Sequence, residues 1–219
     1  MQRRVMDASM PEWFKMLSHN KPVIYVSVGG AAGHGGSVTF FRKVFQAFKD
    51  SEWQVIVSTG GEVDLSCLEP VPSNMRVVNW VPGQEMIARS DLVVFHGGYT
   101  RVQILMQGRP SVIIPFHSEQ EYYGRLMEKA GVARIVHYSD EPYHCYRRRW
   151  KGGNRWITSK QFTVHIRLNA TLKPEILRTA VAECMRDSEM RIQARALGAE
   201  LESHGGCDMI INMIRSRLS

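Results

Sequence analysis

The sequence predicts an α/β fold: a doubly wound sheet of six parallel strands. Three observations predict it. Six short runs, dense in β-branched and aromatic residues, recur along the chain. They are nearly continuous rather than alternating, which marks strands covered on both faces. Helical patterns with one apolar face fall between several of them, the rhythm of a parallel sheet. Glycine clusters follow two of the runs, where such a sheet opens a crevice at its strand ends.

The runs, in order, are "PVIYVSV" (22–28), "WQVIVST" (53–59), "RVVNW" (76–80), "DLVVF" (91–95), "SVIIPF" (111–116) and "ARIVHY" (133–138). Between the first two, "SVTFFRKVFQAFKD" (37–50) sets Phe41, Val44, Phe45 and Phe48 on one helical face, with Ser37 as its N-cap. "EQEYYGRLMEKAG" (119–131) reads as a helix ended by its glycine. The tail, 173–218, reads as two or three helices. Residues 1–20 form a linker leading into the domain, 21–219. The stretch 139–170 is far longer than an ordinary connection and reads as an insertion.

The 219 residues fit one large domain or two small ones. The first residues carry positive charge but no apolar core, so they are not a secretory signal, and no apolar run approaches a membrane span. The four cysteines, Cys67, Cys145, Cys184 and Cys207, are scattered and read as free thiols in a reducing, cytoplasmic setting. His144 and Cys145 lack the ligand spacing of a zinc site, and no metal or cofactor is expected. The net charge of +7 favours anionic partners. It is concentrated in "YRRRWKGGNRW" (146–156), which has five basic residues and no acid. Arg147, Arg148, Arg149 and Lys151, beside Trp150 and Trp156, suit an acidic membrane surface or a plain solvated loop. Nucleic acid is the weakest reading, since no nucleic-acid module is recognisable.

If the strand order is 3-2-1-4-5-6, the crevice lies between strands 1 and 4. Strand 1 runs into "GGAAGHGGS" (29–37), which holds Gly29 and His34, and strand 4 into "HGGYT" (96–100). A helix starting near Tyr99 or Thr100 would turn N–H groups and a positive dipole end toward a phosphate. Thr100 adds a hydroxyl and Arg101 a charge. The plain alternative is that the glycines only make tight turns. "VGGAAGHG" (28–35) also nearly matches the glycine turn of short-chain dehydrogenases. The sequence has no Tyr-x-x-x-Lys pair, and strand 2 ends in "STGGE" without the acid that would hold an adenosine ribose.

The ordered set from Trp80 to Gly131 resembles the donor-sugar signature of UDP-dependent GT-B glycosyltransferases. Its parts are Trp80, Pro82 and Gln84; His96 and Gly98; Thr100; Gly108 and Pro110; Pro115; then Glu119 and Gln120. The segments 10–30 and 177–201 resemble the family's opening and closing of its C-terminal half. The resemblance implies a Rossmann-like domain, the C-terminal half of a GT-B fold, with a UDP-sugar as donor substrate. It implies a uracil ring stacked on Trp80 and read by backbone at 81–84. It implies a diphosphate held by His96, Gly97, Gly98 and Thr100, and a hexose held by Glu119 and Gln120. Three positions depart from the pattern. Gln103 is the nearest substitute for the family's ribose-binding Glu, Tyr123 stands for an Asn, and Glu119 for an Asp.

The chain resembles the donor half alone, so an N-terminal acceptor half is expected in cis or in trans, as in the two-subunit N-acetylglucosamine transferase of eukaryotic lipid-linked oligosaccharide assembly. The implied chemistry is an inverting displacement, with the general base on the other half and no catalytic residue in this one. His34 would face the same crevice, though a solvated turn histidine is the simpler reading. Two alternatives stand beside this: a UDP-sugar epimerase on the same fold, and a non-catalytic nucleotide-sugar-binding subunit.

Overall fold

The apolar runs are strands, each shorter than its run. They are β1 (Val23–Ser27), β2 (Gln54–Ser58), β3 (Met75–Val78), β4 (Leu92–Phe95), β5 (Ser111–Ile113) and β6 (Ala133–Ile135). The computed structural model describes residues 10–28, 38–61, 63–116, 118–137 and 172–204. Within them the strands form one sheet in the order β3-β2-β1-β4-β5-β6, every neighbour parallel. The expected reversal of order therefore lies at β1 and β4.

The helices are α1 (Glu12–Lys15), α2 (Val38–Phe48), α3 (Gly83–Arg89), α4 (Thr100–Met106), α5 (Ser118–Lys129), α6 (Pro174–Arg186) and α7 (Ser188–Ser203), with a 3-10 turn at Leu65–Leu68. Alternate side chains of each strand enter opposite layers. Ile24, Val26, Val55, Val57, Val94 and Val112 meet the apolar faces of α2 and α6. Val23, Tyr25, Ile56, Val93, Phe95 and Ile113 meet α3, α4 and α5 through Met86, Ile87, Ile104 and Met127. Both faces are covered, which is why the runs are apolar without alternation. Phe40, Phe41 and Phe48 of α2 are fully buried, and each such burial stabilises by about 1.5–3 kcal/mol.

Residues 10–20 pack against the domain: Trp13, Phe14 and Leu17 join the second layer, and Gln54 Oε1 accepts from the Ser18 N–H at 2.8 Å. The predicted strand 76–80 stops at Val78, leaving Asn79 and Trp80 beyond the sheet. Helix α3 is not evident in the sequence because seven residues carry barely two helical turns. Ser37, the insertion 139–170 and the tail beyond 204 lie outside the described residues. Among those described, no helix is long and apolar enough to cross a membrane.

Candidate functional site

All six strands are parallel, so the segments that follow them share one edge of the sheet. After β4, His96 is 6% exposed and its ring stacks on Phe116, with centroids 6.1 Å apart and planes at 14°. Phe95 meets it edge-on at 6.3 Å. Gly98 lies under this ring: a β-carbon there would stand 2.1 Å from His96 Nε2. Gly97 is required for a different reason. Its φ is +87°, and a β-carbon would come within 2.8 Å of the Gln120 carbonyl oxygen. Thr100 opens α4. The Arg101 and Val102 N–H groups donate to the Gly98 and Tyr99 carbonyls, each at 3.0 Å.

After β3, Trp80 is 52% exposed. It is not a core tryptophan, which removes the ordinary explanation for an aromatic at a strand end. Pro82 caps α3 with φ −54° and ψ 111°, and Gln84 is exposed. Strands β3 and β4 are three steps apart, roughly 14 Å at ~4.8 Å per step. The gap is bridged on the α3–α4 side, because Gln103 Oε1 lies 3.6 Å from where a Gly83 β-carbon would stand. Gln103 is thus brought beside the Trp80–Gln84 turn.

After β5, the first turn of α5 carries Glu119 and Gln120. They play unlike parts. Gln120 is 4% exposed, and its Oε1 accepts from the Phe116 N–H at 2.7 Å. It thereby fixes the backbone of the residue on which His96 stacks. Glu119 is exposed and faces Arg101 across the gap between α4 and α5, Oε1 to Nη1 at 3.9 Å. The Arg101 guanidinium lies over the Tyr123 ring, 3.6 Å from its centroid.

Under the crevice, hydroxyl groups close the ends of the central strands. Ser27, Ser58 and Thr59 are buried, and the Tyr25 hydroxyl hydrogen-bonds with both Ser27 and Ser58. Burial pushes the Tyr25 phenol above its ordinary pKa. Thr59 Oγ1 donates to Asn79 Oδ1 at 3.2 Å, tying β2 to the turn before Trp80. Sequence reasoning passed over this group and over the Arg101–Tyr123 stack. The two-residue alternation of Tyr25 and Ser27, with Ser58 as the register partner of Ser27, is the pattern that contains the hydroxyl group. Gly29 and His34 lie outside the described residues.

Residues 23–144 match the family model of the glycosyltransferase family 28 C-terminal domain. NDP-glycosyltransferase YjiC of Bacillus subtilis is 32% identical over 114 residues, 52% of this chain and 29% of that protein. The crystallised glycotransferase of kitacinnamycin superposes with a TM-score of 0.71 at 24% identity, over 99% of this chain and 47% of that one. Glycosyltransferase VinC, solved in complex with dTDP, superposes at 0.64 and 17% identity over 89% of this chain and 41% of its own. The chain thus spans less than half the length of each. With its parallel six-stranded sheet and the matched segment covering more than half its residues, the chain belongs to the glycosyltransferase family 28 C-terminal domain, the C-terminal half of a GT-B glycosyltransferase.

Proposed function

We propose that this domain binds the donor of an inverting glycosyl transfer, a UDP-hexose, and that the acceptor is supplied by an N-terminal half in cis or in trans. The observation that carries the reading is the gathering of three motif segments on one sheet edge. They are the exposed Trp80 with Pro82 and Gln84 after β3, His96 to Thr100 after β4, and Glu119 after β5. An exposed indole offers a flat face to a base. Gln103, beside Gly83, is the amide available to ribose hydroxyls. A diphosphate would meet His96 and the amides ahead of Arg101, at the positive end of α4. Glu119 would accept from sugar hydroxyls, and Gln120, its Oε1 already committed to Phe116, would contribute its Nε2.

In the reaction proposed, an acceptor hydroxyl attacks the anomeric carbon as the bond to the diphosphate oxygen breaks. The base that takes the hydroxyl proton belongs to the acceptor half. The role left to this chain is to stabilise charge on the departing diphosphate, through donors held in place beforehand. The rigid mounting of His96 between Phe116 and Gly98 suits that role, since its ring has little freedom to lose.

Calorimetric titration of UDP tests the reading, beside dTDP, the ligand of the VinC structure. UDP is expected to bind saturably and more tightly than dTDP. The His96→Ala variant is expected to weaken UDP by about tenfold or more, the scale of one hydrogen bond to a charged group. No binding at millimolar UDP would overturn the donor reading.

A further inference from the structure

Arg101 is not one of the signature residues, although its charge stands beside the turn expected to meet a phosphate. Its side chain is only 18% exposed. A guanidinium always carries its charge and offers five N–H donors in a plane. Among the described residues no hydrogen bond reaches that group. The Glu119 carboxylate oxygen, at 3.9 Å, faces it without bonding to it. Instead the plane is laid on the Tyr123 ring, 3.6 Å from the centroid. Tyr123 is itself held edge-on by Tyr122, with centroids 5.4 Å apart. A ring below the plane orients the fork and leaves its N–H edge for a partner lying in that plane. A guanidinium held at this exposure, with a carboxylate near it but not bonded to it, keeps N–H donors that suit an anion with two oxygens. The position is equally specific. Arg101 sits in the first turn of α4 and reaches Glu119 in the first turn of α5. It lies away from Trp80 and toward the far end of a donor laid along this edge.

Resting on the donor reading above, we propose that Arg101, oriented by Tyr123, is a specificity-determining residue that grips a pair of anionic oxygens carried by the donor beyond its first phosphate. Those oxygens belong either to the second phosphate or to a carboxylate on the sugar. Tyr123 is the positioning residue for this grip. Glu119 balances the charge of the fork when the site is empty.

The test is titration of the chain with UMP, UDP, UDP-glucose and UDP-glucuronate, for the natural protein and for Arg101→Met, Arg101→Lys and Tyr123→Ala. Arg101→Met is expected to weaken at least one ligand pair selectively by about tenfold. If the second phosphate is the target, UDP weakens while UMP does not. If a sugar carboxylate is the target, UDP-glucuronate weakens while UDP-glucose does not. Arg101→Lys is expected to recover only part, because an ammonium has no planar fork. Tyr123→Ala, which removes the ring under the guanidinium, is expected to weaken the same ligand pair as Arg101→Met, because the fork loses its orientation. Equal weakening of all four ligands, or none, would overturn the proposal while leaving the donor reading intact. Failure of the natural protein to bind UDP would remove both, and that result is visible before any variant is made.

Discussion

Gly61 and Gly97 share a left-handed backbone, with φ of +84° and +87°, but not a neighbourhood. A β-carbon on Gly61 meets nothing within 4 Å, whereas one on Gly97 meets the Gln120 carbonyl at 2.8 Å and Ile113 at 3.1 Å. Gly61→Ala should therefore cost only the conformational penalty, about 1–2 kcal/mol. Gly97→Ala should cost that and an overpacking penalty of about 1–3 kcal/mol more. Urea denaturation of the two variants checks the difference, and equal losses would mean the crevice wall yields freely. At Gly98 the clash is with a side chain, His96, so Gly98→Ala should displace the ring and impair ligand binding more than stability. Thiol chemistry separates two cysteines in the same way. Cys67 is exposed, while Cys184 is buried and its thiol is pushed up to about 11 by desolvation. Alkylation at neutral pH, read by peptide mapping, should modify Cys67 in the folded protein and Cys184 only after unfolding.

At the scale of elements, the closing helices brace the crevice from behind. Helix α7 lies on α4 through two glycines: a β-carbon on Gly198 would stand 2.8 Å from the Leu105 carbonyl, and one on Gly108 would stand 3.0 Å from the Arg195 α-carbon. Gly198→Ala gains about 1 kcal/mol of helix propensity. The contact is with backbone, which cannot swing aside, so a net loss of about 1 kcal/mol or more is expected. A rise in the urea midpoint would contradict this close approach. The start of α7 is fixed by Asp187, whose Oδ1 accepts from the Met190 N–H at 2.9 Å; Asp187→Ala should destabilise by about 1 kcal/mol. Strand interiors are legible in the sequence because a strand covered on both faces must be apolar throughout. Strand ends are not, because the apolar runs continue into turns that pack on the same layers, as Val28 and Phe116 do. Helix α3 escapes pattern reading for a related reason. Its buried pair, Met86 and Ile87, is too short a signal to separate from a turn.

For the whole molecule, the parallel character of the sheet follows from the covering of both faces, and its order places β1 and β4 at the centre. Periodicity makes the parallel, doubly covered strands legible; the order among them is expected only as a condition, which the sheet meets. The motif segments are legible as sequence, but their partners are not. That Gln120 ties down Phe116, that Gln103 reaches Gly83, and that Arg101 lies on Tyr123 are consequences of packing between helices far apart in the chain. Alkaline sensitivity is a property of the whole fold. Tyr25 and Cys184 both have pKa values raised by burial, so the folded state holds their protons longer than the unfolded state does. The Cys184 contribution is complete below the thiol's ordinary 9.0 and is lost as pH rises to about 11, while that of Tyr25 is complete below the phenol's ordinary 10.0 and is lost only above it. The urea midpoint should fall across that window; a flat profile would show that both groups open to solvent without unfolding.

The most direct measurement is a two-dimensional amide spectrum of the ¹⁵N-labelled chain during titration with UDP. Donor binding at the strand ends predicts that the Trp80 indole and the amides of Gly97, Gly98 and Thr100 shift together and saturate together. Shifts gathered instead at the cavity of about 340 Å³ between β6 and α6, around Arg134, Glu175 and Glu183, with Trp80 and Gly97 unmoved, would contradict it.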